Sequence, residues 1–186
     1  MPPKIKIAKQ DILDTAVNIV RRQGVQAMNV RNIAAALGCS TQPIFSNFAS
    51  MEELKSAVVE QANRLCMEYI RRETAADLYP AYKASGMAYI RFAKEERELF
   101  KLLYMRDRTG ETITDNDTLS TDMFALVENQ TGLQNSTAKL FHLEMWAYVH
   151  GIATMFATNY LDLEWELVIK MITDAYQGLC KQYATE

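Results

Sequence analysis

Asn29-Val-Arg-Asn-Ile-Ala-Ala-Ala-Leu-Gly38-Cys-Ser-Thr-Gln-Pro-Ile-Phe-Ser-Asn-Phe48 is the stretch on which the reading of the fold turns. Asn29 has the side chain of a helix N-cap, Val30, Ile33, Ala34 and Leu37 share one face behind it, and Gly38 supplies a stop. After the tight turn Gly38-Cys39-Ser40, either Ser40 or Thr41 can cap a third helix. Pro43 is tolerated there because the first turn of a helix has no internal use for its N–H groups. Ile44 and Phe48 then point to the same side. Upstream, Ile12, Ala16, Ile19 and Val20 fall at i, i+4, i+7 and i+8 and predict a longer helix ending at Gly24. Two short helices on a longer one describe a helix-turn-helix unit whose last helix turns Thr41, Gln42, Ser46 and Asn47 outward. Uncharged side chains that both donate and accept hydrogen bonds suit base edges and phosphates in a DNA major groove.

Working outward, every remaining segment reads as helix. A long one runs from Glu52 through Leu54, Ala57, Val58, Leu65 and Tyr69 to about Ala75. Pro80 precedes the next, with Tyr82, Met87, Ile90 and Phe92, and Glu95-Glu96-Arg97-Glu98 begins another with Phe100, Leu103 and Tyr104. Residues 107–117 carry four acids and Gly110 and read as an exposed loop. Leu119 to Gln130 follows as helix with Gly132 as its stop, then Ser136 to Asn159 and Asp162 to Tyr183. The fold class is therefore all-α with about nine helices: an N-terminal three-helix domain over 1–50 and a C-terminal helical domain over 51–186. Seven Gly and four Pro are too few to punctuate many short strands, and no repeat of solenoid period occurs.

The 186 residues are enough to bury a core, and 49% hydrophobic with 23% charged residues excludes a disordered chain. Cys39, Cys66 and Cys180 are an odd number at wide spacing, which fits small buried side chains in a reducing, cytoplasmic setting and not a metal ribbon or redox pair. The basic start has no apolar run behind it, so it is not read as a secretory signal. The most apolar segment, Leu140 to Leu161, contains His142, Glu144, His150 and Asn159, so no membrane span is expected. Charge is uneven: residues 1–50 carry six Lys and Arg against two Asp, a net of +4, while the rest carry fourteen against twenty-one, a net of −7. A basic head on an acidic body points to a polyanion for the head. Catalysis has no visible apparatus. His142 and His150 sit two helical turns apart, about 12 Å, too far to share one metal, Glu144 faces elsewhere, and no Gly-rich phosphate loop occurs. Neither enzyme activity, metal nor cofactor is expected.

The segment from Asn29 to Leu54 resembles the signature of the TetR/AcrR family of one-component transcriptional regulators, with Ile33, Ala34, Gly38, Ser40, Phe48, Ser50, Glu52 and Leu54 in register. The resemblance implies a homodimer on a palindromic double-stranded DNA operator, most simply a repressor released by a small apolar or aromatic effector. On the DNA side it implies contacts from Lys4, Lys6, Lys9, Arg31, Ser40, Thr41, Gln42, Pro43, Phe45, Ser46 and Asn47. Two departures bear on affinity: Phe45 stands where the family commonly has an aromatic hydroxyl, and Met51 where it commonly has a lysine, both of which reach phosphates. An alternative follows from them, a TetR-like module whose DNA binding is weakened or lost and which binds a ligand or a protein instead. For the effector the resemblance implies a pocket in the C-terminal domain, with Tyr69, Tyr82, Met87, Phe100, Tyr104, Phe124, Met145 and Tyr148 as candidates. Trp146-Ala-Tyr-Val-His-Gly151 resembles a Trp-x-x-x-His-Gly pattern whose glycine lets helices approach. The dimer surface implied is Trp146, His150 and Ile152 with a last-helix stripe of Trp165, Val168, Ile169, Ile172, Tyr176, Leu179 and Tyr183.

Overall fold

The computed structural model describes residues 7–107, 109 and 121–184. Among them are nine α-helices, one short 3-10 turn at Val25–Ala27 and no strand. The helices are α1 (Lys9–Gln23), α2 (Val30–Ala36), α3 (Gln42–Asn47), α4 (Met51–Ala75), α5 (Ala81–Glu95), α6 (Arg97–Tyr104), α7 (Thr121–Thr131), α8 (Asn135–Ala157) and α9 (Trp165–Tyr183). The loop expected over 107–117 lies, apart from Asp107 and Thr109, outside the described residues.

Contacts group the described residues up to Met67 with Glu96–Arg106 as one compact unit, and Glu68–Glu95 with those from Asp107 onward as another. These differ from a division at residue 50 because α4 up to Met67 groups with the first unit and α6 packs on α1 within it.

In that first unit, the head, the apolar face of α1 is fully covered: Ile12, Ala16 and Val20 have no exposed surface. Ile33 and Ala34 of α2, Ile44 and Phe48 around α3, Leu54 and Val58 of α4, and Leu99 and Phe100 of α6 complete the core. Gly24 ends α1 with φ +80, a backbone conformation that favours glycine, and a Cβ there would stand 2.9 Å from Glu98 Oε2, the movable end of a flexible side chain. Arg21 Nε donates to Glu96 Oε2 at 2.7 Å beside this turn.

In the second unit, the body, α5 and α8 form the most extensive helix pair, with α7 and α9 also packed on α8. Met87, Ile90 and Phe92 of α5 and Phe141, Ala153 and Phe156 of α8 are wholly or almost wholly buried. The helices come close at Gly86, where a Cβ would meet Val149 Cγ2 at 3.4 Å. Arg91 ties three helices: its Nε donates to Glu73 Oε2 of α4 at 3.2 Å and its guanidinium lies 4.5 Å from the Trp165 ring of α9. Tyr69 Oη donates to Glu95 Oε2 at 2.7 Å.

Candidate nucleic-acid interface and helical body

The turn between α2 and α3 closes by a Schellman motif: Cys39 N donates to Ala34 O at 3.0 Å and Gly38 N to Ala35 O at 3.2 Å. Gly38 sits at φ +63, in the left-handed region that a side chain disfavours. Asn29 caps α2 by accepting from Asn32 N at 3.0 Å. Thr41 stands at the N-cap of α3, but its side chain makes no capping bond, and Pro43 falls in the first turn. What holds α3 is burial, since Ile44 is 1% and Phe48 2% exposed.

Those two anchors leave the other side of the helix in solvent. Ser40, Thr41, Gln42, Phe45 and Ser46 are exposed, Pro43 and Asn47 are half-buried, and Arg31 is exposed on α2. Two of the polar side chains fold back on their own helix. Ser46 Oγ donates to Gln42 O at 3.0 Å and Asn47 Nδ2 to Pro43 O at 2.8 Å. Each keeps acceptor capacity, while Gln42 presents both the donor and the acceptor of an amide. The outward face is therefore less uniformly polar than the sequence suggests, and Phe45 is 51% exposed in its midst.

Lys4 and Lys6 lie outside the described residues. Lys9 is already engaged, donating to Glu53 Oε1 at 2.9 Å with its ammonium 4.4 Å from the centre of the Phe48 ring. Ser50 Oγ accepts from Glu53 N at 3.1 Å and so caps α4, while the Glu53 carboxylate reaches back to accept from Ala49 N. The Ala49 N–H, then Lys9, hold the Glu53 carboxyl below the usual carboxylate range. This junction went unread in the sequence, although Ser50-x-x-Glu53 is a capping-box spacing. Met51 is half-buried at the start of α4.

Of the candidate ligand residues, Phe100 and Tyr104 belong to the head, where Tyr104 Oη and Cys66 Sγ are 3.5 Å apart. Burial pushes the Cys66 thiol up to about 11, so it stays protonated at neutral pH. Tyr69, Tyr82, Met87, Phe124, Met145 and Tyr148 belong to the body. There Tyr82 Oη and His142 Nδ1 are 2.9 Å apart, and the Phe124 and His142 rings form a T-shaped pair with centroids 5.5 Å apart. Phe141 and Tyr176 extend this cluster, with centroids 6.4 Å from Tyr82. Burial, then Tyr176, raises the Tyr82 phenol, and burial, then Cys180, pushes Tyr176 up to about 12. The Tyr82 hydroxyl is thus a neutral hydrogen-bonding group in the buried interior, while Tyr176 is half-buried beside it. Met87 and Met145 are buried nearby in sequence on the same α5 and α8.

Tyr148 lies elsewhere, on a surface groove of about 340 Å³ between α8 and α9 that it shares with Glu144, Asp174, Ala175, Gly178 and Leu179. A residue read as pocket lining and one read as dimer surface, Leu179, thus meet in one place. Glu144 Oε2 accepts from Tyr183 Oη at 2.8 Å, and Asp174 pairs with Lys170 at 2.7 Å.

The remaining interface candidates divide by burial. Ile152 and Ile172, with Val168 and Tyr183, are buried in the body's own core, because an apolar repeat of helical period does not say which neighbour covers it. Trp146, His150, Trp165, Ile169, Tyr176 and Leu179 are half-buried. Trp146 stacks on His150 with centroids 4.9 Å apart and planes at 14°, and Tyr89 Oη stands 2.9 Å from His150 Nδ1. Burial lowers the His150 imidazole from its ordinary value. A Cβ at Gly151 would meet nothing within 4 Å, so within this chain the close helix approach occurs at Gly86 instead. Leu140, Leu143 and Leu167, not singled out from the sequence, are 48%, 38% and 46% exposed. Leu140, Leu143 and Ala147 follow one another at i, i+3 and i+7 along α8, a spacing that could have marked them.

Among the described residues no helix is long and apolar enough to cross a membrane, and no group of three His, Cys, Asp or Glu is placed to hold a metal ion.

Residues 12–58 match the family described as bacterial regulatory proteins, tetR family, and residues 82–174, half of the chain, the family described as tetracyclin repressor-like, C-terminal domain. Among solved structures, a protein with unknown function from Rhodococcus sp. RHA1 is similar at TM-score 0.74 and 21% identity, with 98% of each chain covered. A TetR-like transcriptional regulator from the same organism superposes at TM-score 0.68 and 17% identity, covering 100% of this chain and 98% of the other. These identities speak for the fold. None of the curated proteins compared with the chain matches it.

Proposed function

We propose that this chain, which belongs to the TetR family of transcriptional regulators, acts as a dimeric repressor that sets α3 in the major groove of a palindromic operator and lets go when the body takes up a small, uncharged and partly aromatic molecule. Members of this family regulate by binding DNA and catalyse nothing. The observation that carries the reading is α3 itself, six residues pinned by Ile44 and Phe48 with the opposite face left in solvent. Gln42 carries the amide that pairs with adenine in two hydrogen bonds, and Arg31 supplies a nearby charge for phosphate. One such helix reaches only a few base pairs, so two are needed, about 34 Å apart or a multiple of it. The exposed apolar residues of α8, Leu140 and Leu143, with Leu167 of α9 and the α8–α9 groove, support a second copy on that side. An open Gly151 gives such a copy room to approach.

For the effector, support comes from the body's aromatic cluster around Tyr82. A Tyr82–His142 pair in an apolar interior would orient a hydroxyl or carbonyl of the ligand and reject a formal charge. The ligand must favour a separation of the two heads that does not fit the operator, and about 1.4 kcal/mol of preference loosens the operator tenfold. The test is binding of the purified protein to DNA from its own upstream region across a salt series. Salt-sensitive binding is expected, with Gln42→Ala weakening it by about 1–3 kcal/mol while the fold is kept. Absence of binding to any fragment would remove the operator reading.

A further inference from the structure

We propose that Phe45 reads the 5-methyl group of a thymine, setting the base preferred at one position in each operator half-site. The inference rests on the reading of α3 as the helix that enters the groove. Phe45 is 51% exposed on a helix of six residues, between two side chains that are almost wholly buried. With about half of its surface in solvent, the benzyl group forgoes much of the gain that full burial would bring. It has no hydroxyl with which to meet a phosphate, so its attraction to DNA must be apolar.

The neighbours sharpen this. Ser46 and Asn47 turn their donors back onto Gln42 O and Pro43 O. Thr41 lies four residues before Phe45 and so shares its edge of the helix, adding a methyl group to it. That edge offers a benzyl ring and a methyl beside the Gln42 amide. Among the features that bases present in the major groove, the one apolar group is the C5 methyl of thymine. A surface with an apolar edge next to an amide therefore matches a thymine near an adenine better than a G·C step, which carries no methyl on its groove edge.

The experiment uses the full chain and DNA selected for binding from a random pool, with each half-site thymine replaced in turn by deoxyuridine. This removes the methyl and leaves pairing and every groove donor and acceptor unchanged. One thymine per half-site is expected to lose about fourfold in affinity on replacement, the weight of a single buried methyl at about 0.8 kcal/mol. In Phe45→Ala, an exposed position whose folding is checked by circular dichroism, the same replacement is expected to change nothing, while Phe45→Leu keeps part of the penalty. If DNA is recovered but no thymine is sensitive, or the penalty persists in Phe45→Ala, the methyl assignment falls and the groove reading stands. If no DNA is recovered, both fall together.

Discussion

Helices α3 and α8 represent opposite ways of fixing a helix. The first has six residues, no side-chain cap and two anchors, Ile44 and Phe48. The second has 23 residues and nine buried positions along its length. A helix as short as α3 has no stability of its own, since nucleation costs more than a single turn returns. A surface that must stay bare on one side for a partner cannot also be braced on that side. Helix α3 therefore concentrates its integrity in two side chains, whereas α8 distributes it along its length.

The contrast can be broken most directly by truncating one anchor in each. Phe48→Ala and Phe141→Ala remove rings of equal size from fully buried sites and should each cost about 3–5 kcal/mol. Hydrogen exchange is expected to separate them: Phe48→Ala should strip protection from α2 and α3, while Phe141→Ala lowers overall stability and leaves α8 protected along most of its length. Selective loss of α8 protection in Phe141→Ala would erase the distinction. A smaller effect sharpens it. Asn29→Ala removes the one side chain that caps α2 and should cost about 1 kcal/mol in urea denaturation, a large share for so short an element. The smallest belongs to the body. Because burial lowers the His150 imidazole in the folded state, the unfolded chain takes up its proton first as pH falls through the ordinary histidine value near 6.5. The contribution of neutral His150 is thus intact above that value and lost progressively below it. His150→Gln should flatten the fall in thermal stability between pH 7 and 5.5, and an unchanged slope would discard the assignment.

Much of the helical order was legible because its punctuation is local. Gly24, Asn29, Gly38 and Gly132 end or begin elements by backbone geometry or by a bond to a residue three away. The helix starts and ends read from the sequence fall within about three residues of those observed for the same reason. What stayed hidden was set by distant partners or by rotamers. Lys9 reads as a loose basic arm until Glu53, 44 positions on, is found beside it. Ser46 and Asn47 read as outward donors until their side chains turn back on the preceding turn. On α8 and α9 every heptad carries apolar residues on more than one side, so the stripe was visible but its covering was not. Ile152 and Ile172 went inward, and Leu140 and Leu143 stayed out. The pairing of Tyr82 with His142 spans sixty positions and has no local signature.

The internal pairing of the cations on α1 and α2 also bears on how the head should meet a polyelectrolyte. Of Lys9, Arg21, Arg22 and Arg31, two are already neutralised by the chain's own carboxylates, Glu53 and Glu96. A cation held in this way displaces no condensed counterion from a duplex unless it first abandons its partner. The dependence of binding on ionic strength should accordingly be gentler than a count of basic residues implies, with more of the grip falling to contacts that added salt cannot screen.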